Sequence, residues 1–252
     1  VVSCAVARAR RQLESQGVFA GGDAPVVETA GFTLGDRKLG LGSSAAVAAS
    51  VVGFVLAEAG LDLSETANRA MALELARAAH AEAQGGGGSG GDVTAAVMGG
   101  LLVVQGRTHH AVELRPGLTM GFFDAGSPAV TASFVKAVRE GAARTPERHA
   151  EAIASMTAAA HDFIGAATRA TQLAAGLGGT GIPADLPADL PAIHRAVAAH
   201  MAGLRELQAI GRVEILTPAI ETIARVAARR GLSAKPSGAG GGDLVVAFAS
   251  SR

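Results

Sequence analysis

The longest apolar stretch runs from Ala45 to Val55, and no charged residue stands between Lys38 and Glu58. These are small residues and good helix formers without proline. The pattern predicts a buried helix ending at Gly60, a residue suited to the left-handed position after a helix. Upstream, Val2 to Leu13 reads as a helix, with Arg8, Arg10 and Arg11 on or near one solvated face. Val26 to Leu34 reads as β, followed by a turn at Gly35-Asp36. Asp62 and Glu65 form a capping-box-like start. The helix they open runs to about Ala83, with Leu73, Ala76 and Ala79–Ala83 interleaved with Glu74, Arg77, His80 and Glu82.

Further on, Val93 to Val97 reads as a short helical turn and Leu101 to Val104 as a buried strand, with His109-His110 in a turn between strands. These histidines have no Asp, Glu or Cys at ligand spacing and read as surface residues. Leu118 to Phe123 reads as a strand, Asp124–Pro128 as a loop and Thr131 to Ala142 as a helix. Pro146 opens an Ala-rich helix to about Leu173. Gly176–Gly181 with Pro183, Pro187 and Pro191 predict an exposed connection before a helix over Ile193 to Gln208. Thr217-Pro218 is an N-cap with proline at the first helical position, for a helix to Arg230 that stops at Gly231. Ser233 to Lys235 and Leu244 to Phe248 read as strands. The mixture is α+β, without internal repeats.

At 252 residues the chain has room for one large core or two smaller ones. The 22 basic and 22 acidic residues balance, which argues against nucleic-acid or membrane-surface binding driven by bulk charge. Trp and Tyr are absent, so aromatic platforms for bases are not expected. The single Cys4 excludes an internal disulfide and a thiolate cluster. It reads as a small apolar filler. No signal peptide or membrane span is visible, and the reading is cytoplasmic.

The chemistry gathers at three glycine loops. Lys38-Leu39-Gly40-Leu41-Gly42-Ser43-Ser44-Ala45-Ala46 feeds the apolar helix. A glycine turn before a helix aims unpaired N–H groups and the positive end of the helix dipole at one point, which suits an anion such as phosphate. The serines add hydroxyls able to cap the helix or to ligate a hard cation. The loop is not a Walker A sequence, and Ala45 stands where a dinucleotide fingerprint needs its third glycine. Gly85–Gly91 forms the second loop and ends at the lone acid Asp92. Lys235-Pro236-Ser237-Gly238-Ala239-Gly240-Gly241-Gly242-Asp243 is the third. Of the three lysines, Lys38, Lys136 and Lys235, two adjoin glycine loops, where a compact ammonium suits phosphate oxygens.

With these three motifs in this order, the chain resembles the GHMP kinases from about Leu39 to its end. Leu39–Ala46 is similar to the family's phosphate-binding second motif, and Lys235–Asp243 to its third. Ala83-Gln84-Gly85, Gly88-Ser89-Gly90-Gly91-Asp92-Val93 and the third loop are most similar to the phosphomevalonate kinases within the family. Thr119 to Val135 is similar to another segment of theirs. Three positions depart: Asp124-Ala125 replaces Thr-Gly, Leu244 stands where Cys is usual, and Gly91 where an aromatic is usual.

The resemblance implies a two-part fold, an N-terminal ribosomal-protein-S5-domain-2-like part over residues 1–112 and a C-terminal ferredoxin-like part over 113–252, with the site in the cleft between. The family's first motif, which precedes the second in relatives and supplies a lysine, is not found. The chain opens at Val1, and an N-terminal truncation is expected. For the site, the resemblance implies ATP phosphates on Leu41, Gly42, Ser43, Ser44, Ala45 and Ala46. Mg²⁺ would sit on Ser44, or on Ser43, with Glu82 as the carboxylate before the second loop. Asp92 is the expected catalytic acid, with Lys38 as a cation beside it. Asp92 would accept the proton of the acceptor oxygen or orient that oxygen electrostatically, or else simply cap the turn at Val93. Ser89, Gly90, Lys235, Ser237, Gly238, Ala239 and Gly240 would hold the acceptor's phosphate or the nucleotide's, and Asp243 would cap or brace its loop.

The implied reaction is ATP- and Mg²⁺-dependent transfer of the γ-phosphoryl group to 5-phosphomevalonate, with no nucleic acid or membrane partner, by a monomer or homodimer. The alternatives are mevalonate, homoserine or sugar kinase activity, or nucleotide binding without transfer.

Overall fold

The computed structural model describes the chain except for residues 19–21, 23–24, 35–36, 87, 127–130, 171–185, 243 and 252, together with the side chains of 34, 37, 38, 131, 132 and 170. The predicted turn at 35–36, the glycine stretch 176–181 with Pro183, and Asp243 lie outside the described residues. The chain divides into two compact units. One comprises Val1–Thr33 and Leu41–Ala111, the other Leu34–Gly40 and Val112–Arg252.

The first unit is built on four helices, α1 (Val2–Ser15), α2 (Ser43–Glu58), α3 (Thr66–Ala83) and α4 (Gly91–Met98). Their shared core holds Ala5, Ala9 and Leu13 of α1, Ala45, Ala48, Val51, Val52, Val55 and Leu56 of α2, Ala72, Ala76 and Ala79 of α3, and Val93 of α4. Alanine-lined faces let the helix axes approach closely, so a short chain of small residues builds a dense centre. α2 ends as its sequence predicts. The Leu61 N–H reaches back to Leu56 O across the left-handed Gly60.

Three readings change here. No strand covers residues 25–29; a 3₁₀ turn (Ala30–Phe32) leads into β1 (Thr33–Leu34), which pairs with β2 (Arg37–Lys38). Val26 is fully exposed, so its β-prone composition has nothing to pair with. Asp62 caps no helix. Its Oδ1 accepts from Ser64 N–H in a local turn, which holds its carboxyl below the usual range, and α3 starts later with Glu65 at the N-cap. His109 and His110 lie inside β4 (Thr108–Leu114), because the turn after β3 (Leu101–Gln105) comes at Gly106 and Arg107.

The second unit carries an antiparallel sheet in the order β5 (Leu118–Asp124), β8 (Leu244–Ser250), β7 (Ser233–Pro236). α5 (Thr131–Arg144), α6 (Pro146–Ala167), α7 (Leu190–Gly211) and α8 (Pro218–Arg229) complete it. The core joins Val245–Phe248 of β8 to Ile193, Val197, Met201, Leu204 and Leu207 of α7 and Ile220 of α8. α8 begins as predicted, with Thr217 Oγ1 accepting from Ile220 N–H. α6 is shorter than the Ala-rich run suggested. The chain turns extended at Thr168 and forms β6 (Thr168–Ala170) against Val112–Leu114. Arg115 holds the stop: its buried guanidinium donates to Gly165 O in the last turn and to Thr168 O just beyond it, and its own N–H donates to Ala167 O. α7 starts at Leu190 with Asp189 as its cap, so Pro191 opens this helix where a break was expected. No helix among the described residues is long and apolar enough to cross a membrane.

Candidate active site

Within the first unit, two helix N-termini carry most of the predicted chemistry. Gly42 caps α2 at φ 72°, a left-handed angle with no side-chain cap. A β-carbon there would meet nothing within 4 Å. The first intrahelical bond runs from Ala46 N–H to Gly42 O, so the N–H groups of Ser43, Ser44 and Ala45 face out of the helix end. Leu41 stands exposed beside this turn, and Ala45 is packed into the core behind it. Gly90 caps α4 at φ 67° and puts Asp92 in the first turn. Asp92 Oδ1 accepts from Val93 N–H at 2.8 Å inside the first turn, while Gly90 keeps the cap position without a side-chain cap, and Oδ2 takes no part in that bond. Ser89 is exposed, and its Oγ accepts from Gly91 N–H.

His80 of α3 joins the two ends. Its Nε2 lies 3.0 Å from Ser44 Oγ and 3.8 Å from Asp92 Oδ2, and 3.1 Å from the side-chain nitrogen of Gln84. The imidazole is buried, whereas the Asp92 side chain keeps 47% of its surface open. Three residues earlier on α3, Arg77 donates through Nε and Nη2 to Thr94 Oγ1, and that hydroxyl donates to Gly90 O at 2.7 Å. Arg77, His80 and Gln84 follow the i, i+3, i+7 spacing of one helix face. Reading α3 as alternating polar and apolar residues missed this face. The signal was available in the spacing, directly before the second glycine loop.

Glu82 goes another way. It lies two positions, about 200°, from His80 around the helix, and it accepts from Arg8 Nε and Nη2 at 2.7 Å. Arg8 thus ties α1 to α3. The structure therefore brings Ser44 and Asp92 to His80, and Glu82 to Arg8. Among the described residues no group of three His, Cys, Asp or Glu could hold a metal by itself.

The second unit holds the remaining residues. Lys38 lies in β2, its side chain outside the described residues. Lys235 is half-buried in β7, and its Nζ donates to Pro236 O at 2.8 Å. Burial lowers its pKa. Ser237 N–H closes the loop on Leu244 O, leaving Ser237, Gly238 and Ala239 exposed at the tip. Gly240 is buried at φ 87°, and its neighbour Gly241 donates to Ile215 O at 2.6 Å. The close approach the glycines allow is to Ile215 and Phe134.

The family model for the GHMP kinases N terminal domain matches residues 4–100, and that for the GHMP kinases C terminal domain matches residues 188–252. The chain belongs to the GHMP kinases. It is 33% identical over 237 residues to the phosphomevalonate kinase of Streptomyces sp. strain CL190, covering 84% of this chain and 57% of that protein. This GHMP kinase chain thus spans little more than half the length of that relative.

Solved structures agree on the fold. The Lin0012 protein of Listeria innocua has a TM-score of 0.78 at 20% identity, covering all of this chain and 71% of the other. Streptococcus pneumoniae phosphomevalonate kinase, solved with phosphomevalonate and AMPPNP, has a TM-score of 0.71 at 18% identity, covering all of this chain and 73% of the other. The L. major mevalonate kinase, solved with R-mevalonate, scores 0.61 at 20%, covering 99% and 69%. The α+β architecture of helices and antiparallel sheets is that of the family.

Proposed function

We propose that this GHMP kinase uses ATP and Mg²⁺ to phosphorylate 5-phosphomevalonate. The observation that carries the reading is the meeting of Ser44 and Asp92, from two helix N-termini, at one nitrogen of His80. The similarity to the Streptomyces phosphomevalonate kinase supports the choice of acceptor.

Phosphoryl transfer asks a protein chiefly for positioning and for neutralisation of charge. The outward N–H groups of Ser43, Ser44 and Ala45, backed by the dipole of the 16-residue α2, suit the nucleotide's phosphate oxygens. The Ser44 hydroxyl and the free Asp92 oxygen form an oxygen donor set that fits Mg²⁺, which takes one or two protein ligands beside substrate phosphates. Mg²⁺ bound there would neutralise charge on the transferring group. Glu82, held by Arg8, is not needed in this set. The Asp92 charge also acts on the acceptor oxygen at a distance. A phosphate acceptor is already largely ionised near neutral pH, so the carboxylate acts more through its field than as a base. Within the second unit, the exposed tip Ser237–Ala239, with Lys235 at its base, carries donors suited to a phosphate group.

ADP release measured against mevalonate, 5-phosphomevalonate, homoserine and galactose tests this. Turnover with 5-phosphomevalonate alone, reduced about 10²–10³-fold in Asp92→Ala, is expected. Turnover with a different acceptor moves the substrate within the family. Mg·ATP binding without any turnover overturns the kinase reading for these acceptors.

A further inference from the structure

We infer that His80 is a positioning residue that decides what the Ser44 hydroxyl can do, making it an oxygen ligand for a hard cation instead of a donor to phosphate. This rests on the phosphate-site part of the reading above.

Hydrogen-bond directions around the ring fix this role. The side-chain nitrogen of Gln84 faces His80 Nε2 at 3.1 Å. An amide NH₂ group only donates, so with the Gln84 amide turned this way Nε2 accepts and the ring proton belongs on Nδ1. Ser44 Oγ, 3.0 Å from the same nitrogen, must then donate its one proton to it. Both lone pairs of that oxygen are left facing away from the imidazole. A serine without this partner would turn its proton toward any anion at the helix end, where backbone N–H groups already provide donors. The same nitrogen sits 3.8 Å from Asp92 Oδ2, the oxygen that Val93 does not use. With no proton on Nε2 the ring gives Oδ2 no hydrogen bond, so both oxygens near it remain acceptors.

The location of His80 supports a role beyond filling. Its neighbours on the buried face of α3 are Ala72, Leu73, Ala76 and Ala79. An apolar residue would complete that face without requiring polar partners from two other elements. The second observation is Arg77, which braces the first turn of α4 through Thr94 from the same face of α3. α3 thus holds both helix ends, and His80 is the point where they meet.

The test compares the wild type with His80→Leu, His80→Gln, Ser44→Ala and the double variant His80→Leu/Ser44→Ala. Calorimetry reads ATP affinity with Mg²⁺ and with chelator in its place. His80→Leu is expected to weaken Mg·ATP binding about 10–100-fold, the usual cost of losing the group behind a metal ligand. Metal-free ATP binding should change far less. His80→Gln, whose amide can still accept from Ser44, should restore most of the loss. On the Ser44→Ala background His80→Leu should add little, because it acts through that hydroxyl. Nitrogen NMR of the folded wild type should show the Nδ1-protonated tautomer at His80, a readout that survives if the leucine variant fails to fold.

Equal losses with and without Mg²⁺, additive losses in the double variant, an Nε2-protonated ring, or a folded wild type without nucleotide affinity would each overturn the inference. Mg·ATP binding that follows the expected pattern without turnover of any acceptor would sink the proposed reaction and leave the role of His80 standing.

Discussion

The Gly241 N–H donates to the Ile215 carbonyl at 2.6 Å, and a β-carbon on the adjacent Gly240 would lie closer than 3.0 Å to that same oxygen. The third glycine loop is thus seated on the segment between α7 and α8. Gly240→Ala should lower stability by at least about 1–3 kcal/mol, from backbone strain at φ 87° alone. Gly238→Ala, with nothing within 4 Å and an ordinary backbone angle, should leave it nearly unchanged. Urea midpoints of the two variants decide. Equal midpoints would mean that the loop is not held where it is seen.

Gln208 holds the other side of that seat. Its Oε1 accepts from Ile215 N–H at 2.9 Å and from Leu216 N–H at 2.8 Å, both in buried residues. Gln208→Leu keeps the bulk and strands two donors, so about 2–4 kcal/mol should be lost. Gln208→Glu, which still accepts, should lose less. Denaturant titration of both variants measures the difference.

Thr94 is fully buried, and its Oγ1 both receives Arg77 and donates to Gly90 O. Thr94→Val preserves shape and removes the hydroxyl. The expected loss is about 1–3 kcal/mol, because Nε and Nη2 of Arg77 lose their acceptor while Nη1 keeps Glu74 and Arg107 O. Hydrogen exchange at the first turn of α4 should quicken with it. Unchanged exchange would show that Arg77 does not brace that turn.

Burial, with the Lys235 charge as a lesser cause, lowers the His200 pKa from 6.5 to about 4. Between those values the unfolded chain binds a proton at this ring and the folded chain does not. This contribution to stability is therefore fully present above pH 6.5 and is lost as pH falls toward 4. The drop in urea midpoint from pH 7 to pH 5 should be smaller in His200→Gln than in the wild type. Equal drops would show that this ring titrates as it does in the unfolded chain.

Much of the fold was open to reading along the chain. α2 carried its own boundaries, a glycine turn before it and Gly60 after it, and α8 carried Thr217, Pro218 and Gly231. The glycine loops and their order pointed to the family, and Asp92 was singled out as the lone acid of its loop. The early end of α6 was hidden, because alanine favours helix while the stop comes from Arg115, about 50 residues away.

The amino-acid sequence by itself determined the local features: helix periods, caps, and turns that only glycine adopts. These depend on residues a few positions apart, and spacing records them. The tertiary structure alone decided which of those features meet. Ser44 and His80 are 36 residues apart, and Arg8 and Glu82 are 74 apart. Helix packing set His80 toward two helix ends and Glu82 toward an arginine, although both stand in one turn of α3. The direction of a side chain across a helix interface depends on what lies opposite, and only the folded core supplies that.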